Sequence, residues 1–194
     1  MTDQIKVLYW NIHGISSKVT GEKHKDPRLT GIIAGYDVVC LSELHSDKKI
    51  YIPGFTAVEQ KIRTKRHKGP KISGGIGVFI RRSIAKNFQV IPNNNEDSIW
   101  LKTTPQSGEP IRLGFYYCSP ENSTSTFTET VGKEIERFMD DQTYIFGDFN
   151  ARTRTDCESE SEVDTDQTPG DTLPTDVTSH NPVFLILFRD RAFC

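Results

Sequence analysis

Short apolar runs broken by polar and turn-forming residues recur over the first 150 positions, and their lengths and periods predict a mixed α/β chain. IKVLYWN (5–11) and TYIFGDFN (143–150) are rich in β-forming residues and end on polar side chains. VVCLSE (38–43) is apolar without alternation, as a strand covered on both faces would be. GGIGVFI (74–80) predicts a strand with a glycine entry, and DSIWLKT (97–103) and IRLGFYY (111–117) flank PQSGEP, a hairpin connection. Two segments carry the helical period instead. In DPRLTGIIAGYD (26–37), Leu29, Ile32 and Ile33 fall on one side, with Asp26 as cap and Pro27 in the first turn. In STSTFTETVGKEIERFMDD (123–141), Phe127, Val131, Ile135 and Phe138 recur at three and four residues.

The pattern makes residues 1–152 part of one domain and fades beyond. Residues 153–180 read as an acidic, mobile surface segment, and 181–194 as an atypical apolar tail in which VFLILF (183–188) is a strand or helix. At 194 residues the chain holds one ordinary core. No apolar run approaches the eighteen or so residues of a membrane span, and no secretory leader is visible, so an intracellular monomer away from membranes is expected. The four cysteines (Cys40, Cys118, Cys157, Cys194) form no CxxC pair and read as free thiols.

A formal charge of −2 argues for no polyanion partner, but the charge is unevenly spread. KIRTKRHKGPK (61–71) holds six basic residues in eleven and no acid: Lys61, Arg63, Lys65, Arg66, Lys68 and Lys71. Such a loop either contacts phosphates or is simply solvated.

Three polar clusters stand at strand ends: Asn11-Ile12-His13, Glu43-Leu44-His45 and Asp148-Phe149-Asn150. Strand ends are where α/β folds build sites, and alternation places Asp148 and Asn150 on one side. Few carboxylates among neutral donors suit Mg²⁺-dependent phosphoester hydrolysis, because Mg²⁺ takes one or two carboxylates and keeps waters and phosphate oxygens. Glu43 is the natural metal ligand, and Asp148 would orient or deprotonate a water. Asn11 and Asn150 would be neutral donors, and Tyr117 a phenolic donor to phosphate. His13 and His45 lack the HxxxH spacing of a zinc site.

YWNIHG (9–14), VVCLSELH (38–45), SGGIGVFI (73–80), FYYCSP (115–120) and YIFGDFNAR (144–152) occur in an order that resembles the endonuclease/exonuclease/phosphatase superfamily. The resemblance is strongest to the apurinic-like endonuclease domain of non-LTR (LINE-type) retrotransposons. It implies a four-layered α/β sandwich, Mg²⁺ (or Mn²⁺) on Glu43, phosphate contact by Tyr117, water activation by Asp148 and phosphate binding by Asn150. Asn11 would belong to the active-site floor, and His45 would shape the site. The implied substrate is DNA, nicked to leave a 3′-hydroxyl for a covalently linked reverse transcriptase, which places a working protein in the nucleus. The basic residues of 61–71 would then touch the DNA backbone. Other members would imply lipid, inositol phosphate or RNA substrates. The family's terminal Ser-Asp-His signature has no counterpart here, since His180 lies in TSHNP. The expectation is a domain truncated at its C-terminus, with an inactive nucleic-acid-binding remnant as the alternative to an enzyme.

Overall fold

Two βαβ units, one in each of two sheets, organise the chain; the computed structural model describes residues 4–17, 21–62, 74–104, 108–118, 124–138, 142–149 and 184–186. In the first unit, β1 (Val7–Asn11) is followed by two short strands, β2 (Ser16–Ser17) and β3 (Gly21–Glu22), that pair with each other. The helix α1 (Pro27–Ile33) then returns the chain to β4 (Val38–Ser42), which lies parallel to β1. Strands β5 (Phe55–Lys61) and β6 (Ile76–Arg81) complete a sheet of order β1-β4-β6-β5. The second sheet, of order β11-β10-β9-β8-β7, contains β7 (Phe88–Ile91), β8 (Ser98–Thr103), β9 (Ile111–Tyr117), β10 (Thr143–Asp148) and β11 (Phe184–Ile186). Here α2 (Thr124–Phe138) makes the crossover that leaves β9 and β10 parallel.

The strands and helices expected from periodicity form. Strand β4 is buried at all five positions, which accounts for its unbroken apolar run. Strands β8 and β9 make the expected hairpin, with Thr103 opposite Ile111. Asp26 caps α1 by accepting the Arg28 N–H at 2.9 Å, with Pro27 in the first turn. One expectation for α1 fails: Leu29 and Ile33 are buried, but Ile32 is half exposed. A seven-residue helix can bury the i and i+4 pair while the residue between them, a hundred degrees away, turns to solvent. Strands β5 and β7 were not legible in the pattern. The first carries the charged and polar residues of an edge strand and is bulged between Ala57 and Glu59.

Four layers result. The inner faces of the sheets meet in one core, where Tyr9, Val38, Cys40, Val78 and Ile80 pack with Ile99, Leu101, Leu113, Phe115 and Phe146. Helix α1 covers the outer face of the first sheet through Leu29 and Ile33 against Val39, Leu41 and Phe79. Helix α2 covers the second through Val131 and Phe138 against Trp100, Tyr116 and Ile145. Of the apolar stripe read from 123–141, Val131, Ile135 and Phe138 are thus on the face that docks. A buried hydrogen bond also crosses between the sheets, with the Tyr9 hydroxyl donating to the Tyr116 carbonyl at 2.7 Å. Tyr9→Phe leaves that carbonyl without this donor and is expected to cost about 1–3 kcal/mol, measurable by urea unfolding. A cost near zero would show that the bond contributes nothing net.

Candidate active site

The carboxyl ends of both parallel pairs point the same way, so four separate strand ends meet at one seam between the sheets. Asn11 closes β1 and Glu43 follows β4; Tyr117 closes β9 and Asp148 closes β10. Ligand sites of α/β folds form at such carboxyl ends. Two hydrogen bonds bridge the seam: Asn11 Nδ2 donates to Asp148 Oδ2 at 2.8 Å, and the Tyr117 hydroxyl donates to Glu43 Oε1 at 3.0 Å.

The turns that present these groups are held in unusual conformations. Among the described residues, His13, Glu43 and His45 are the non-glycine residues with positive φ, at 47°, 53° and 48°. Side chains other than glycine's occupy this left-handed region at a cost of order 1 kcal/mol each, sustained only when the surroundings fix it. Backbone bonds between the turns do so: Gly14 N–H to Glu43 C=O at 2.7 Å, Ile15 N–H to Leu44 C=O at 2.9 Å, and His45 N–H to Gly74 C=O at 2.9 Å. Gly74 and Gly75 also have positive φ, which explains the glycine pair before β6. Lys23 secures the first turn, its ammonium donating to the Ile12 carbonyl at 2.6 Å.

Electrostatics centre on Glu43. His13 Nδ1 lies 2.9 Å from Glu43 Oε2, His45 Nε2 lies 3.7 Å from the same oxygen, and the two rings meet edge to face. Burial pushes the Glu43 carboxyl up, but hydrogen bonds from Asn11, His13 and Tyr117 and the field of His45 outweigh it and hold the group below its usual range. Glu43 is therefore ionised at neutral pH. Burial lowers the His45 imidazole, only partly opposed by Glu43.

The seam gathers Asn11, Glu43, His45, Tyr117 and Asp148. His13, weighed in the sequence as a metal ligand or a base without a zinc-site spacing to support it, is in direct contact with Glu43. Lys23 and the Tyr9 bond had no signal in the pattern, because both act on backbone carbonyls. Asn150 and the basic residues Arg63, Lys65, Arg66, Lys68 and Lys71 lie outside the described residues, as does the 153–180 segment. Lys61 is half-buried at the end of β5. Among the described residues no helix is long and apolar enough to cross a membrane.

Among the described residues, no group of three or more His, Cys, Asp or Glu side chains is arranged to hold a metal ion. The oxygens brought to the seam are nonetheless hard donors, the carboxylates of Glu43 and Asp148, toward which Asn11 turns its amide N–H while its own oxygen accepts the His13 N–H at 3.0 Å. That set fits a magnesium-like ion, which binds through one or two carboxylates and keeps waters for its other positions.

Two face-packed sheets flanked by helices, with acidic and amide side chains at the joined strand ends, define an α/β-sandwich hydrolase scaffold. The chain belongs to the endonuclease/exonuclease/phosphatase family, whose model matches residues 8–194. No curated protein matches it by sequence. Among solved structures it is similar to ANGEL2, a 2′,3′-cyclic phosphatase, with 19% identity and a TM-score of 0.52, over 77% of this chain and 54% of that one. It is also similar to the endonuclease domain of TRAS1, a telomere-specific non-LTR retrotransposon (14% identity, TM-score 0.48, 77% and 61% of the two chains). An AP endonuclease from Archaeoglobus fulgidus matches at 11% identity and a TM-score of 0.46, over 76% and 58%. The chain thus spans between half and two thirds of the length of these structures.

Proposed function

We propose that the seam is the catalytic site of a divalent-metal-dependent phosphodiesterase and that its substrate is DNA, nicked on one strand as by retrotransposon endonucleases. The observation that carries the reading is the pairing of Asn11 with Asp148 across the seam, beside Glu43 bound by Tyr117. Residues 137 positions apart are brought together as a carboxylate and its orienting amide.

Glu43, ionised and facing the seam, would hold the metal. The bound ion would supply Lewis-acid polarisation of the phosphate and charge neutralisation. Asp148, oriented by the Asn11 amide, would position a water and accept its proton. The Tyr117 hydroxyl, now donating to Glu43, would be a donor to a non-bridging phosphate oxygen. Asn150, two residues after Asp148, is assigned by the family motif to phosphate binding. Departure of the 3′-oxygen leaves the hydroxyl end that a linked reverse transcriptase would extend. The basic run 61–71 supports nucleic acid over a lipid or inositol phosphate substrate, since a linear polyanion needs an extended cationic contact.

The test is a supercoiled-plasmid nicking assay on the full chain, with and without Mg²⁺, beside Asp148→Ala. Wild-type nicking that needs Mg²⁺ and falls by about 10²–10⁴-fold in the variant is expected. DNA binding without nicking by folded protein would favour the inactive-remnant reading. Turnover only on RNA, inositol phosphates or lipids would replace the substrate class and keep the site.

A further inference from the structure

Lys61 opens the basic run, but its side chain is directed away from the solvent such a run needs. Its ammonium donates to the Asn95 carbonyl at 2.7 Å, to the Asn93 carbonyl at 3.4 Å and to Asn93 Oδ1. An ammonium has three donors, and the loop between β7 and β8 engages all of them. Burial also lowers the Lys61 pKa, with the nearby acids Glu59, Glu134, Glu96 and Asp97 opposing.

The same loop is held from its far side by Glu134, a buried residue of α2. Glu134 accepts from Asn93 Nδ2 at 2.9 Å, Asn95 Nδ2 at 3.4 Å, Ser98 Oγ at 2.7 Å and Trp100 Nε1 at 3.3 Å. Within the loop, Asn95 Oδ1 accepts the Asp97 N–H at 2.9 Å, and the Asp97 carbonyl accepts the Tyr117 N–H at 2.9 Å. A continuous run of hydrogen bonds therefore joins the edge strand of the first sheet to the residue that touches Glu43. Its members come from β5, the β7–β8 loop, α2 and β9, and its bonds are buried or part-buried, where an unpaired polar group is costly.

We infer that Lys61 is a positioning residue, clasping the 93–97 loop against Glu134 so that Asp97 seats the backbone of Tyr117, and is not one of the phosphate contacts of the basic run. The catalytic part of this inference rests on the proposed function; the structural part does not.

The two roles give opposite results in Lys61→Met. Removing a phosphate contact weakens DNA binding and flattens the slope of log affinity against log salt by about one. Loss of a clasp leaves affinity and slope unchanged, lowers kcat by about tenfold with KM within about twofold, and frees the Tyr117 amide. Amide hydrogen exchange on the full chain should then accelerate at Tyr117 by about tenfold or more, while Val39 and Leu41 in β4 keep their protection. Asn95→Ala, which removes no charge, should reproduce the Tyr117 change. It also replaces Lys61→Met if circular dichroism shows that variant unfolded. Unchanged Tyr117 exchange in the folded variants overturns the inference whether or not the chain cuts DNA. A flattened salt slope in Lys61→Met returns the residue to the phosphate contacts.

Discussion

Replacing Glu43 with glutamine is expected to remove Mg²⁺-dependent strand cleavage, by about 10³-fold or more, while leaving the chain folded. The carboxylate is the one seam group that accepts from Tyr117 and His13 together and is held ionised by its donors. Glutamine keeps the shape and one acceptor oxygen but presents an NH₂ where one of those donors points. Its neutral amide is also a far weaker partner for a hard divalent cation than a carboxylate. The fold should survive, because Glu43 follows β4 and its backbone carbonyl still takes the Gly14 N–H. Glu43→Ala would instead leave the donors facing a void and confuse loss of metal with local rearrangement. The decisive measurement is single-turnover nicking over a Mg²⁺ titration, with far-UV circular dichroism and thermal melting on the same samples. Wild-type rates with unchanged metal dependence in a folded Glu43→Gln would sink the ligand role. A rate restored by raised Mg²⁺ would instead show weakened binding at an intact site.

The layers and the seam were legible for different reasons. Strand β4 announced itself because burial on both faces leaves a run with no polar break, and α2 because docking on one face leaves a 3.6-residue stripe. The seam residues were legible because they stand where apolar strands end, so that Asn11, Glu43, Tyr117 and Asp148 each follow or close a run. The pattern was silent on β5, whose polar positions serve an edge strand rather than a core face. It was silent also on the partners of Glu134. Helical spacing puts that residue three after Val131 and four before Phe138, on the docking face, but gives no sign of the four side-chain donors from Asn93, Asn95, Ser98 and Trp100 beneath which it is buried. A buried carboxylate is visible only through partners more than thirty positions away, and one-dimensional periodicity does not carry that information. Lys61 illustrates the converse, since a residue that reads as part of a basic run has its ammonium engaged by the Asn93 and Asn95 carbonyls.

Gly114 and Trp100 form the pair for which the largest stability effects are expected. They face one another directly across β8 and β9, and a β-carbon built on Gly114 would lie 2.9 Å from Trp100 Cη2 and 3.0 Å from Cζ2. The indole thus lies over the glycine backbone, fully buried, with Tyr116 edge-on at 5.9 Å and Phe138 tilted at 5.2 Å. An added methyl cannot be absorbed by rotating a stiff, hydrogen-bonded ring, so Gly114→Ala is expected to destabilise the chain by about 1–3 kcal/mol. Trp100→Ala empties the slot between α2 and the sheet and should cost about 3–5 kcal/mol, a fall in Tm on the order of 10 °C. The cost of the methyl should disappear once the indole is gone, so Gly114→Ala in the Trp100→Ala background should be neutral or stabilising. The cycle would show a coupling of about 1–3 kcal/mol. Equal costs of Gly114→Ala in both backgrounds would mean that the glycine is needed for its backbone and not for the ring above it. Trp100→Phe separates packing from hydrogen bonding. It relieves part of the crowding but takes the Nε1 donor from Glu134, so unfolding measurements on this variant divide the indole's contribution between the core and the network that holds the 93–97 loop.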